Sequence, residues 1–136
     1  MPEIQSILDE IKNEFSIFSD PRDKYVYLVD LAKDTMGLTD SERVEENRIH
    51  GCTSQAWVVK EVSNEKYTFR MDSDAMIVKG LLSLIGRSFN GRTKTEILNV
   101  DGNQFLESVG LGQAISSQRT NGFSSAIHKI QTELLD

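Results

Sequence analysis

From Asp74 to Gly86 the chain reads Asp-Ala-Met-Ile-Val-Lys-Gly-Leu-Leu-Ser-Leu-Ile-Gly, with apolar residues around most of a helical circumference. A helix that is apolar on nearly every side has to be buried on nearly every side. The rest of the chain must therefore wrap this one element, which limits the fold to architectures with a central helix. Gly80 inside it predicts close approach of another element, since a glycine in a helix interior is costly without a packing reason. Asp72-Ser73-Asp74 ahead of it reads as the helix cap.

The flanking segments are of the right kind to cover it. Residues 3–18 place Ile4, Ile7, Leu8, Ile11, Phe15 and Phe18 at helical spacing. Asp20-Pro21 then suits an N-cap and first helical position. The second helix carries Tyr25, Leu28, Val29, Ala32 and Met36 inward and is expected to stop at Gly37. Residues 38–47 include Asp40, Glu42, Glu45 and Glu46 and read as a solvated connection.

Ala56 to Val62 is rich in β-branched residues, and Tyr67, Phe69 and Met71 alternate with polar neighbours, so Ser63 to Lys66 reads as a hairpin turn. Asn47 to His50 is the expected third strand. Thr93 to Glu96 fits a capping box, Phe105, Leu106 and Val109 form a short apolar face ending at Gly110, and Phe123, Ile127, Ile130 and Leu134 mark a last helix. The expected fold class is α+β: a small antiparallel three-stranded sheet packed with helices at both chain ends, in one domain spanning 1–136.

Composition narrows the function. A net charge of −6 argues against a broad basic surface for nucleic acid or anionic membrane. No run is long and apolar enough to span a bilayer, and Met-Pro-Glu-Ile-Gln lacks the basic and apolar regions of a signal peptide. A soluble protein of a reducing compartment, the cytoplasm, is expected.

Cys52 is the one cysteine in 136 residues. It supports neither an intramolecular disulfide nor the thiolate set of a structural zinc site. On composition alone, burial as a small hydrophobe is the commoner fate of a free cysteine. Yet Gly51 before it permits a sharp turn, and Thr53 and Ser54 after it put nothing bulky beside the sulfur.

Four blocks carry a resemblance: Gly51-Cys52-Thr53-Ser54-Gln55-Ala56-Trp57, Asp72-Ser73-Asp74-Ala75 with Ile77-Val78-Lys79-Gly80-Leu81, Gly110-Leu111, and Ser116 to Gly122 with Arg119 and Asn121. In this order and spacing the chain resembles the SufE family, sulfur-acceptor partners of cysteine desulfurases in iron–sulfur cluster assembly, with a fold of the SufE/NifU kind. The resemblance implies that Cys52 takes sulfur as a persulfide, that the protein stimulates the desulfurase, and that the sulfur passes to a cluster scaffold. It implies supporting roles for Gly51, Ser54, Gln55, Asp74 and Arg119, with Arg119 stabilising the sulfur anion or contacting the desulfurase. It implies no resident cofactor and no metal, the pyridoxal phosphate belonging to a SufS-like desulfurase and the clusters to a SufBCD-type scaffold. Such a protein is an accessory to a sulfurtransferase reaction rather than a free-standing enzyme, and either a monomer or a weak homodimer. A lone thiol is also compatible with a redox sensor or with a purely allosteric desulfurase-binding module. A cysteine hydrolase using His128 is disfavoured, because no oxyanion-hole signature is visible, and a metal scaffold because His50 and His128 are far apart in sequence. His50, two residues before the thiol, reads as incidental.

Overall fold

A computed structural model describes residues 3–51, 54–112 and 114–135. Among these, six α-helices and three strands follow one another as α1 (Ile4–Ser16), α2 (Pro21–Asp34), β1 (Ala56–Ser63), β2 (Lys66–Ser73), α3 (Met76–Phe89), β3 (Arg92–Thr93), α4 (Lys94–Leu98), α5 (Phe105–Ser108) and α6 (Ser117–Leu134). The sheet is antiparallel, in the order β1-β2-β3. Helices at both ends of the chain and a three-stranded antiparallel sheet between them make the expected α+β fold.

The central helix is α3. Val78, Gly80, Leu81, Leu82, Leu84, Ile85, Gly86, Ser88 and Phe89 are all buried along it. On one side α2 comes so close that a Cβ on Gly80 would lie 2.2 Å from the Leu28 carbonyl oxygen, which is the reason for glycine there. A line of aromatic rings ties the layers together: Tyr67 to Phe69 at 6.3 Å, Phe69 to Phe89 at 6.2 Å, Phe89 to Phe105 at 6.2 Å, and Phe105 to Phe123 at 5.1 Å. These centroid distances lie within the range where aromatic pairs gain beyond simple burial.

Local signals place most ends. Asp20 accepts the Arg22 amide and Pro21 takes the first turn of α2. Thr93 and Glu96 close a reciprocal capping box on α4, and Ser116 accepts the Arg119 amide at the start of α6. The β1–β2 turn leaves Asn64 and Glu65 both in the left-handed region, at φ 52° and 65°, as a two-residue hairpin requires.

Three expectations are corrected. The third strand is Arg92–Thr93 on the far side of β2, while the 47–50 segment makes only an isolated bridge, Arg48 to Trp57, after a short 3-10 turn at Glu45–Asn47. The second helix ends at Asp34, so Met36 lies outside it and is 89% exposed. Gly37 serves packing instead of termination: a Cβ there would stand 2.5 Å from an Asp72 carboxylate oxygen. Residues 38–47 form the expected solvated connection, exposed at most positions, and side-chain pairs tie it to the fold. Glu42 pairs with Arg70, and Arg43 with the buried Asp72.

Candidate functional site

The hairpin is unevenly buried. Ala56, Trp57 and Val58 at the start of β1 and Met71, Asp72 and Ser73 at the end of β2 are buried, whereas Lys60 to Ser63 near the turn are exposed. The open end of the hairpin, away from its turn, therefore sits in the protein body, and the segment carrying the thiol enters β1 there. Cys52 and Thr53 lie outside the described residues; the residues on either side of them are placed.

On the C-terminal side, Gln55 continues the ladder beyond its last pair, Ala56 with Ser73. The Gln55 amide donates to Asp74 Oδ1 at 3.1 Å, and the Asp74 amide donates to the Gln55 carbonyl at 3.1 Å. Ser73 Oγ donates to the same carbonyl at 2.7 Å. Asp74 thus brackets the segment leading to the thiol instead of capping α3, which corrects its expected role. The helix has Ala75 at its N-cap position with no side-chain cap, and the Ala75 amide turns to Ser73 Oγ at 3.1 Å. Ser54, next to Gln55 in the chain, is half-buried.

On the N-terminal side, Gly51 has φ +93°, a conformation that side chains rarely adopt. A Cβ on Gly51 would come within 2.5 Å of Ser125 Oγ on α6, so backbone and packing both call for glycine. Just before it, the Ile49 amide donates to the Ala56 carbonyl at 2.8 Å, closing the loop from 50 to 55 across its base. Glycine on one flank and a three-bond bracket on the other fix where the thiol segment leaves and re-enters the fold.

Beneath the bracket lies a buried charge centre. Asp72, 1% exposed, accepts the Leu38 amide at 2.9 Å, Arg43 Nη2 at 2.6 Å and the Ser73 amide at 2.8 Å, with Lys79 Nζ 3.7 Å away. Burial alone pushes its carboxyl upward, but these amides and cations outweigh it and hold Asp72 below the ordinary carboxylate range. Arg43 also lies over the Trp57 ring at 5.8 Å, which keeps Trp57 in the packed layer expected of it. Neither Asp72 nor Arg43 was singled out from sequence as a support of the loop. An arginine 29 positions away leaves no local pattern.

Arg119 lies in the first turn of α6. Its guanidinium lies over the Tyr25 ring of α2 at 5.9 Å, and it rims a narrow apolar crevice formed with Val78, Leu81 and Leu82 of α3 and Phe123 of α6. Gly51, Ser54 and Gln55 flank the thiol in the chain and Asp74 is bonded to Gln55, while Arg119 has its contacts at the α2–α3–α6 junction. The two histidines, remote in sequence, line one open groove together with Asn103, Ser124, Ser125 and Lys129. His50 faces Glu45 at 3.3 Å. Among the described residues, no group of three or more His, Cys, Asp or Glu is placed to hold a metal ion, and no helix is long and apolar enough to cross a membrane.

The architecture is that of a known small α+β domain. A hypothetical protein of Thermus thermophilus, solved in solution, superposes with a TM-score of 0.77 over 95% of this chain and 93% of that one, at 20% identity. The family model described as "SufE: Fe-S metabolism associated domain" matches residues 9–134. Uncharacterized SufE-like proteins are similar along nearly the whole length: one of Rhizobium etli is 35% identical over 93% of this chain and 88% of its own. Another, of Synechocystis, is 30% identical over 94% of this chain and 80% of its own. The chain belongs to the SufE family, which is associated with iron–sulfur metabolism.

Proposed function

We propose that this protein accepts sulfur from a pyridoxal-phosphate cysteine desulfurase onto Cys52, stimulates that enzyme by draining its persulfide, and relays the sulfur to an iron–sulfur scaffold. Membership of the SufE family supports the pathway. The observation that carries the residue assignment is the anchoring of both flanks of the lone thiol, by Gly51 against Ser125 and by Gln55 within the Ser73–Asp74 bracket. Anchored flanks fix the points between which the thiol segment runs. The protein acts as a single domain over 1–136 in a reducing compartment, the cytoplasm.

The transfer is thiol–persulfide exchange. The Cys52 thiolate attacks the terminal sulfur of the desulfurase persulfide, a new sulfur–sulfur bond forms on Cys52, and the desulfurase cysteine leaves as its thiolate. The terminal sulfur carries its proton across and keeps its oxidation state, so no oxidant or reductant is consumed. A single cysteine matters here, because a neighbouring thiol would discharge the persulfide as a disulfide.

The test is intact mass after incubation with a cysteine desulfurase and free cysteine. One reducible sulfur on the wild type and none on Cys52→Ser supports the assignment. Full desulfurase stimulation by Cys52→Ser would instead make this a purely allosteric partner, and a stable sulfenate on Cys52 without sulfur uptake would make it a redox sensor.

A further inference from the structure

The groove beside the thiol segment has a composition at odds with the chain as a whole. The protein carries 21 acidic against 15 basic residues. Yet the groove wall is His50, Asn103, Ser124, Ser125, His128 and Lys129, every one a hydrogen-bond donor and none a carboxylate. Its volume is about 450 Å³, within the range of small-ligand clefts. Two donors of the wall pair with carboxylates outside its lining: Lys129 Nζ with Glu133 at 2.8 Å and His50 Nε2 with Glu45 at 3.3 Å. The groove also adjoins the thiol segment. Ser125 in its wall is the residue against which Gly51 packs, and Cys52 is covalently next to Gly51.

We propose that this groove is a subsite for the carboxylates of a small thiol of the cysteine or glutathione class, a second acceptor that unloads Cys52, an activity that rests on the sulfur-acceptor reading above. The donors bind the carboxylate and hold the small thiol near Gly51, the residue before Cys52. The small thiolate attacks the terminal sulfur of the Cys52 persulfide, the sulfur–sulfur bond on Cys52 breaks, and Cys52 leaves as its thiolate. The product is the persulfide of the small thiol, with the transferred sulfur unchanged in oxidation state. Other cavities offer less. The one between α1 and the α4–α5 region includes Glu96 and Asp101, which would repel a carboxylate.

Binding is tested apart from transfer by titrating the protein with S-methylglutathione, which has the carboxylates but no thiol, and following backbone amides by NMR. Saturable shifts at His50, Ser125 and His128, weakened about tenfold in His128→Ala as for loss of one hydrogen bond to a charged group, are expected. No saturable shift at these residues overturns the subsite, whatever Cys52 does. Transfer is then followed on protein loaded by a desulfurase, comparing glutathione with the uncharged 2-mercaptoethanol. Unloading that saturates with glutathione, rises linearly with 2-mercaptoethanol, and loses its saturation in His128→Ala is expected. Linear unloading by both thiols, unchanged in His128→Ala, overturns this inference alone. Failure of Cys52 to take sulfur from any desulfurase overturns the sulfur-acceptor reading, while the titration still decides the subsite.

Discussion

Asp74 and Gln55 hold one another by two backbone-anchored hydrogen bonds, each 3.1 Å long: carboxylate to amide in one direction and amide to carbonyl in the other. This reciprocal bracket is where the thiol segment meets the sheet. Both residues are exposed, so the bond to the carboxylate is worth only about 0.5 to 1.5 kcal/mol. Replacing Asp74 by Ala is expected to lower stability by that small amount but to speed hydrogen exchange of the Gln55 amide well beyond that of the β1–β2 ladder. An unchanged Gln55 amide in the variant would show that Ser73 and the ladder suffice. Asp74→Asn, which keeps an acceptor oxygen, is expected to behave like the wild type.

The charge centre below the bracket is a different matter, because Asp72 is buried. Asp72→Ala leaves the Leu38 amide and part of the Arg43 guanidinium without their acceptor. A cost of about 2 to 4 kcal/mol is expected, at the lower part of the range for a broken buried pair since Arg43 keeps a side-chain exposure of 40%. Urea denaturation measures it. A loss under about 1 kcal/mol would mean that water takes over the role of Asp72 and that the 38–47 connection is anchored elsewhere.

That connection also gives the protein an acid-sensitive tie. The paired Arg70 guanidinium, with the Thr39 amide second, holds Glu42 at about 2 against an ordinary value of 4.5. A lowered folded-state value means that the unfolded chain takes up the proton first as pH falls. The contribution of Glu42 is therefore whole above about pH 4.5 and is lost progressively toward about pH 2. Melting temperatures of wild type and Glu42→Gln are expected to differ at pH 7 and to converge as pH approaches 2. A difference independent of pH would assign the effect of the substitution to something other than the Arg70 pair.

The sequence revealed whatever was local. The apolar stripes of α1 and α6, Asp20-Pro21, the Thr93–Glu96 box and the hairpin each depend on residues within a turn or two of one another. The third strand was missed because Arg92–Thr93 is two residues long and pairs only at Lys66 and Tyr67, too short for any periodicity. The ties of the 38–47 segment were not legible because its Glu42 finds Arg70 and its Arg43 finds Asp72, and such pairings leave no mark in the chain. Asp74 was misassigned for a related reason. An aspartate before a helix looks like a cap whether its oxygen goes to the helix or, as here, to an amide 19 residues back.

The hairpin turn offers a route to higher stability. Glu65 occupies φ +65° with a side chain, where glycine adopts the same backbone at no steric cost. Left-handed backbone costs a residue with a side chain about 1 to 2 kcal/mol, and the extra freedom of glycine in the unfolded chain returns about half of it. Glu65→Gly, giving the Asn-Gly pair such turns favour, is expected to raise stability by about 0.5 to 1 kcal/mol. A lowered melting temperature would show that Glu65 contributes a side-chain interaction larger than the backbone strain it bears.

Two glycines of α3 provide the sharpest test of the packing around the central helix, because the same substitution should have opposite signs about 9 Å apart along one element. At Gly80 a methyl group would sit 2.2 Å from the Leu28 carbonyl oxygen and 2.8 Å from its carbon, both backbone atoms that cannot swing aside. Gly80→Ala must push α2 and α3 apart, and a loss of about 1 to 3 kcal/mol is expected, as for other overpacked cores. At Gly86 the nearest atoms are Asn90 Nδ2 and Met71 Cε, both at 3.7 Å, which is ordinary contact. Gly86→Ala is expected to stabilise by up to about 1 kcal/mol, the helix propensity difference between the two residues. Denaturation of the two variants side by side decides it. If both are destabilising by similar amounts, α3 has no slack on either side; if both are neutral, the α2–α3 contact is softer than the approach of Leu28 to Gly80 requires.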